Sequence, residues 1–573
     1  MKNKKFVYSI IGISAAYLLL LFIIYYFGLP FINFGHVSFY FYLAAILTYI
    51  FALVLVLTSK KLALKNIDKR YKRLSYNKLA GKFYFQEVDS NSYFNPLNQS
   101  IRAFILVFGF VSVLLLVFAL VGSKMFNSKA YYEQLEIKEA PEQELLEVFD
   151  YDNGEVLLPV IDKDLAYKLA QASLADYGAQ YTIDYDNFTL INVTRNGKNE
   201  LVRVSPLEYS NIFVSMSKKD EGSVGYIEVN VVTKETKLVK VEGGMKYMPS
   251  AIFGKDLHRH IRFKYPTAMY SEINFEIDDA GKPYWVIPTE KKEIGVINGA
   301  NSTGVIVVDP VSGEISKYDR GSEPSWIDRT INEEVVDKQA TNAFRYKNGF
   351  MNVHFGSKKE VFQLSDGYNY FIKGGNTYYV SCITSPNEGD QTSIGFVTIN
   401  LKTRVATKYL VAGITEMRAR EIAMNDARVK AQTLEATWPL LINYQGVETY
   451  FVVLKNDVQE QKMVFINVAN GSLIAMGDTI EEARSEYDRL LADSGKTESK
   501  DIILNNQKIT NIRDLGSTIE FMVEGITDKY FVVSPSVSLD ARFMKVGDAV
   551  SITCKDYESY YYVISLTKEE KSN

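Results

Sequence analysis

Four histidines supply all the imidazole in the chain: His36, His258, His260 and His354. Imidazole is the usual general base near neutral pH and the commonest metal ligand. His258 and His260 stand two apart in Asp256-Leu-His-Arg-His260. On a strand that spacing puts both rings on one face, where they would offer two metal ligands; on a helix they diverge. Arg259 and the helical character of the segment favour a solvated helix face, so no metal is assigned. The chain has no His-Glu-x-x-His and no Gly-x-Ser-x-Gly, the local patterns of zinc hydrolases and serine hydrolases. Gly495-Lys-Thr has the ending of a phosphate loop, but the motif's first Gly belongs where Leu490 stands, inside a helix. Asp150-Tyr-Asp-Asn-Gly154 is similar to a calcium loop, yet its Gly comes one position early and no Glu follows at the twelfth position. A tight turn is the simpler reading. Cys382 and Cys554 lie far apart in sequence and read as buried thiols on strands of separate modules. Acidic residues are plentiful, but no pair stands out as the carboxylate dyad that glycoside hydrolysis needs. No catalytic, cofactor-binding or metal-ligating residue is assigned, and the chain reads as a non-enzyme without a cofactor.

The elements that carry these residues divide the chain sharply. Up to Arg102 there are 13 Lys and Arg against Asp68, Glu87 and Asp89, a net charge of +10; the whole chain is −4, so the remainder carries −14. An acidic remainder excludes nucleic acid as a partner, because phosphate backbones are held by basic surfaces. The apolar runs Phe6–Phe27, Val37–Leu57 and Ala103–Gly122 are uncharged. At about 20 residues each, they are long enough for helices that cross a bilayer. Lys2, Lys4 and Lys5 precede the first run, but no small-residue cleavage site follows, so it reads as a span and not a removable signal. The segment Gly28–His36 has no Lys or Arg, whereas residues 58–101 carry Lys60, Lys61, Lys65, Lys69, Arg70, Lys72, Arg73, Lys78 and Lys82. The positive-inside rule then places the N-terminus and loop 58–101 in the cytoplasm and residues 123–573 outside.

After the spans, a strand-turn-strand motif recurs four times. It runs Gly225-Tyr-Ile-Glu-Val-Asn230 to Leu238, then Gly304-Val-Ile-Val-Val-Asp309-Pro-Val-Ser-Gly-Glu-Ile315. The later copies are Gly395-Phe-Val-Thr-Ile-Asn400 to Val405 and Val464-Phe-Ile-Asn467 to Leu473. Period-two alternation predicts β-hairpins, with Gly313 and Gly471 supplying positive φ in the turns of the second and fourth. Aromatic strands precede the later three, at Tyr284, Tyr378 and Tyr450. Helices are predicted between the strand groups at Asp162–Tyr177, Glu333–Tyr346 and Thr415–Leu434, and Thr479-Ile-Glu-Glu482 is a capping box that opens another. Residues 501–568 read as short strands alone, which predicts a small OB-like or SH3-like barrel.

The helix, aromatic strand and Val308-Asp309-Pro-Val-Ser-Gly-Glu-Ile315 hairpin together resemble the PepSY domain, a module of protease propeptides and bacterial envelope proteins. The likeness is strongest over Tyr284–Tyr318 and looser in the other copies. It implies a non-catalytic module, inhibitory towards proteases in some relatives. The fold expected is α+β: three transmembrane helices, then tandem helix-plus-antiparallel-sheet modules and a β-barrel. Boundaries are expected at 1–128, 129–248, 249–330, 331–414, 415–497 and 498–573. The expected role is a membrane-anchored extracytoplasmic scaffold or binding protein of the bacterial cell envelope. Its partners would be the lipid bilayer and another envelope protein or complex. A regulator of an extracellular protease is the alternative, and a wall-active hydrolase comes third.

The orientation has a direct readout. Protease added to intact protoplasts is expected to digest the chain beyond Ser123 and to spare the Lys60–Lys82 loop. A protected C-terminal part would reverse the assignment.

Overall fold

A computed structural model of the chain describes residues 2–65, 71–77, 82–88, 96–151, 156–174, 177–387, 390–456, 461–494, 501–516, 518–535, 537–556 and 560–569. Gly495-Lys-Thr, the Gly of the Asp150–Gly154 turn and parts of the basic loop lie outside the described residues. Three apolar helices come first: α1 (Lys2–Gly28), α2 (Val37–Lys65) and α3 (Pro96–Val121). Their most apolar windows run 19, 19 and 21 residues, long enough to cross a membrane. Leu19, Phe22, Phe104 and Leu116 are exposed on their surfaces, a distribution suited to acyl chains and costly in water. Helices α2 and α3 pack through Tyr40, Ala44 and Val111, where the small Ala44 lets the backbones approach. Between them the basic loop forms an antiparallel hairpin, β1 (Tyr71–Asn77) with β2 (Lys82–Val88), which the charge pattern alone does not predict.

By contact density the chain divides into two compact units, residues 1–142 with 155–412, and residues 143–154 with 413–573. The first unit holds three antiparallel sheets beyond the apolar helices. Sheet I contains Thr189–Arg195, Lys198–Tyr209, Ser223–Asn230 and Thr236–Met245, with Tyr181–Ile183 paired at the end of the long central strand. Sheet II runs Ile315–Asp319, Asn298–Val308, Pro283–Ile294, Asn274–Ile277 in spatial order. Sheet III is built on Asn376–Thr384, Thr392–Asn400 and Ala406–Tyr409, and Ile137–Ala140 joins its edge in parallel. The helices predicted between strand groups are present, but shorter. Lys163–Ala172 is capped by the Asp162 side chain, which accepts from the Leu165 amide, and Glu333–Arg345 by Asn332, which accepts from Val335.

The second unit holds sheet IV, with central strands Val447–Lys455 and Gln461–Asn467, and a closed five-stranded barrel. The helix expected over Thr415–Leu434 stops at Asn425, where Asp426 turns extended and its carboxylate takes the Arg428 amide and guanidinium. At Thr479 the hydroxyl accepts from the Glu482 amide as a capping box requires, but Glu482 reaches back to the amide of Asp478, one residue before the cap. In the barrel, Asp501–Asp514 is long enough to pair with Ile519–Val523 along one part and Ala549–Asp556 along another. Ile526–Val533 and Tyr560–Lys568 close the ring in parallel. Phe521, Phe531, Ile552 and Val563 fill it. Asp488, on the Ile480–Asp493 helix, accepts from Tyr444 and Tyr560 hydroxyls at 2.5 Å each and from Gln445 at 3.0 Å. That buried carboxylate ties sheet IV, its helix and the barrel into one body.

The four hairpins share a turn whose mechanism is visible in the hydrogen bonds. In the first three, an Asn or Asp side chain accepts from the amides two and three residues on: Asn230 from Val232 and Thr233, Asp309 from Val311 and Ser312, Asn400 from Lys402 and Thr403. The amide four residues on returns to the same residue's carbonyl, at 2.9, 2.9 and 2.8 Å. That fourth residue lies at positive φ whatever its type: Lys234 at 66°, Gly313 at 77°, Arg404 at 64°. Five residues before each Asn or Asp stands Gly225, Gly304 or Gly395, where a Cβ would collide with the facing carbonyl of Val239, Tyr318 or Tyr409. The fourth hairpin departs from this. Asn467 accepts from the Asn470 amide, three residues on, its own amide pairs one residue later, to Leu473, and Gly471 is not at positive φ. The expectation for Gly471 is therefore corrected. Glycine is needed there for space, since a Cβ would lie 2.6 Å from Ile422 Cδ1.

Two replacements separate these causes. Gly313→Val meets both a left-handed backbone and the Tyr247 ring, so it is expected to lower stability by well over about 1 kcal/mol. Lys234→Gly is expected to be neutral or stabilising, whereas Lys234→Val is expected to cost about 1–2 kcal/mol. Thermal melting of the full chain in detergent reads all three, and equal melting of the two Lys234 variants would refute the shared turn.

Candidate functional site

Sheet II and the helix beside it are fastened to the apolar helices. The Leu257–Lys264 helix, capped by Asp256, carries Arg259 and Arg262 on buried positions. Arg259 Nε donates to the carbonyl of Tyr26 at 3.1 Å, and its guanidinium lies 4.2 Å over the Tyr26 ring. Tyr26 sits in the last turn of α1, where carbonyls lack helical partners and the dipole favours a cation. Arg262 lies 3.5 Å over the Phe31 ring and donates to the Ala268 carbonyl at 2.9 Å. The Ile32 amide donates to Pro266 at 2.8 Å, and Asn33 Nδ2 to Thr267 at 2.8 Å. The tip of the long sheet II hairpin packs Val296 and Ile297 into the Tyr40–Val111 cluster of α2 and α3. The loop joining α1 to α2 therefore lies at the same end of the helices as sheet II.

A second feature lies where sheets I, II and III meet. A cleft of about 480 Å³ is lined by Lys163, Phe188, Arg203, Glu272, Arg329, Glu333, Tyr368 and Tyr370, among others, a volume in the range of small-molecule sites. Lys163 opens a capped helix, Arg203 comes from the central strand of sheet I, and Arg329 comes from the segment after sheet II. Arg329 is 7 % exposed. It pairs with Glu333 and stacks 4.8 Å from the Tyr370 ring, while its Nε has no partner. Glu333 also accepts from Tyr368 at 2.8 Å. The Arg203 side chain donates from Nη1 to the Phe188 carbonyl at 3.1 Å, and among the described residues its buried Nε has no partner. Burial, with the Arg329 charge adding to it, pushes the Arg203 guanidinium down to about 10. Burial, then Arg203, likewise lowers Lys163. Glu272 is raised by burial, despite a 2.9 Å hydrogen bond from Asn274.

Sequence reasoning singled out no acidic pair, but the fold assembles one. Glu276, on sheet II, is fully buried, and Asp328 is 5 % exposed. Glu276 accepts from the Asp328 amide at 3.0 Å, and Asp328 accepts from the Asn192 amide of sheet I at 2.6 Å. Burial raises both carboxyls, and for Glu276 the Asp328 charge raises it further. Neither lines the cleft; they knit sheets I and II together. Glu208, also buried, accepts from the Ser250 amide and hydroxyl, and burial pushes it up to about 7. Nothing local marks these carboxylates, because their burial is created by strands distant in sequence.

The residues considered for chemistry are dispersed. The Leu257–Lys264 helix turns His258 towards the Tyr270 ring and His260 towards the Gly313 carbonyl, at 2.7 Å. His36 bonds to Ser38 and packs on Phe31, and His354 packs on Phe350. Cys382 and Cys554 are buried on strands of different units. Among the described residues no group of three His, Cys, Asp or Glu is placed to hold a metal ion. Sequence reasoning missed Lys163, Arg203 and Arg329. The only local signal was that Arg203 sits in an apolar strand, Leu201-Val-Arg-Val204.

No family model matches the chain, and no curated protein matches it. Among solved structures, two of a Synechocystis apocarotenoid oxygenase, both mutants, are similar at 8 % identity. They match 50 and 51 % of this chain with TM-scores of 0.15 and 0.16. The match spans about three fifths of that enzyme's length.

The buried carboxyls predict a pH dependence. A carboxyl raised on folding stabilises the fold fully below its unfolded pKa, near 4.5 for Glu208, and loses that contribution as pH rises through its folded value of about 7. Melting of the full chain is expected to fall between pH 5 and 8. Glu208→Gln is expected to remove roughly 2–3 kcal/mol of that fall. A variant that tracks the parent at every pH would show that Glu208 is not the titrating group.

Proposed function

We propose that the protein is a non-enzymatic, membrane-anchored binding protein of the bacterial cell envelope, with residues 123–573 on the extracytoplasmic side. The observation that carries this reading is the rigid docking of sheet II on the apolar helices through Arg259, Arg262 and the Val296–Ile297 tip. A domain merely tethered to its anchor needs no such fit. A domain that presents a surface at a set height and angle above a bilayer does. The charge asymmetry of the two loops supports the orientation. The shared Asx-anchored hairpin turn supports reading the sheets as diverged copies of one PepSY-like unit. The strand order of the barrel, with its third and fifth strands parallel, favours an OB-like over an SH3-like barrel. Regulation of an extracellular protease is the alternative that the PepSY likeness supplies.

The test is cross-linking in the native membrane followed by capture of the full chain. A wall-synthesis, secretion or other envelope complex recovered in fixed proportion is the expected result. An extracellular protease, inhibited by the added purified protein, would select the alternative. Hydrolysis of purified cell wall by the isolated protein, lost on mutating an acidic pair, would overturn the non-enzymatic reading.

A further inference from the structure

The cleft between sheets I, II and III is lined by three cations together with the carboxylates of Asp186, Glu272 and Glu333. Lys163, Arg203 and Arg329 all line it, and only Arg329 has a carboxylate partner, Glu333. Lys163 lies 4.4 Å over the Tyr185 ring and 3.5 Å from the Asp186 carbonyl, and the Asp186 and Asp184 charges act on it from beyond ion-pair distance. The carboxylates nearby are engaged elsewhere: Asp162 with the Leu165 amide, Asp164 with the Tyr185 hydroxyl at 2.6 Å, Glu333 with Arg329 and Tyr368. Glu272 accepts from Asn274 at 2.9 Å, and Asp186 stands exposed. Burying a polar group is costly unless it is hydrogen-bonded, and the Arg203 Nε is buried without a partner, so a stable fold that keeps these two half-buried cations unpaired retains them for a ligand.

The geometry narrows the ligand. Lys163 is the first residue of a ten-residue helix, whose positive end adds to the two side-chain charges. Unpartnered guanidinium N–H groups on Arg203 and on nearly buried Arg329 present forks that match oxyanion geometry. Several positive charges converging on one point suit a dianion better than a single carboxylate. The volume exceeds what an inorganic ion fills, and Phe188 and Tyr370 provide apolar wall for the rest of a molecule.

We propose that this cleft binds a small molecule bearing a phosphate group, with Lys163 and Arg203 as its principal contacts and Arg329 as the third. This deepens the binding-protein reading by naming a ligand class, and its test does not depend on which envelope partner is captured.

The experiment uses the full chain in detergent at constant ionic strength, with inorganic phosphate as the probe and succinate as the carboxylate control. Saturable phosphate binding by calorimetry, with a rise in melting temperature and at least tenfold weaker succinate binding, is the expected result. Arg203→Met is expected to reduce phosphate affinity at least tenfold. Without phosphate, the same variant should melt higher than the parent, because it removes a cation that has no ion-pair partner and whose Nε is buried without a hydrogen bond; in saturating phosphate the order should reverse. A structural arginine would instead give a variant that melts lower under both conditions. That result, or phosphate binding unchanged by both Arg203→Met and Lys163→Gln, or succinate binding as tightly as phosphate, would overturn the proposal. If Arg203→Met fails to fold, Lys163→Gln alone decides it, since Lys163 lies at a helix start and its replacement leaves the core intact.

Discussion

A guanidinium laid 3.5 Å above a phenyl ring holds the two chemically opposite halves of the first unit together. Arg262 can occupy a nearly sealed position because its plane stacks on Phe31 and one nitrogen reaches the Ala268 carbonyl. A lysine could not do both, since its ammonium is a hydrated point charge with no flat face. Arg259, three residues and about one helical turn earlier, donates to the Tyr26 carbonyl in the last turn of α1. With these contacts in place, the short loop between α1 and α2 becomes part of the wall of sheet II.

Sheet II in turn fixes its neighbours. Tyr226 of sheet I donates to the Gly281 carbonyl at 2.8 Å, and Trp285 donates to the Tyr247 carbonyl at 2.9 Å. On the other side, Ser302 donates to Thr330 and Thr330 to Leu401 of sheet III. The cleft is the space these junctions leave at one corner. Its walls come from residues as distant as Lys163 and Tyr370, some on strands and helices and others, such as Phe188, Glu272, Arg329 and Tyr368, on the segments that join them. The cost of its unpartnered arginine N–H groups is carried by the apolar burial around it, including Val202, Val204 and Phe188.

Repetition works here through backbone geometry more than through residue identity. Lys234 and Arg404 hold the same left-handed conformation as Gly313, because the side-chain oxygen of the Asn or Asp accepts from the amides two and three residues on and leaves the chain one exit. Arg404 uses that exit: its guanidinium reaches Gln339 and the Gln134 carbonyl. The copies have thus diverged in what the turn residue does while keeping how the turn is made.

The features legible in the sequence are those whose physics is local. Three uncharged runs of spanning length became three apolar helices, because every backbone hydrogen bond in a helix is made within the run itself. The Asn/Asp-anchored turns and period-two strands became hairpins, because register there is set by residues a few positions apart. The stretch of short strands after residue 500 became a closed barrel, although its parallel closure by the third and fifth strands had no local sign. Gly471 was misread because crowding by Ile422 comes from another element. The helix after Thr415 ended early because Asp426 found a partner two residues on. The cleft, the Glu276–Asp328 pair and the arginine docking were not legible at all. Each depends on a charge being taken out of water, and removal from water is decided by which distant strands close over it. Sequence alone determined the elements; the tertiary structure decided which charges those elements would bury, and where they would be left facing one another.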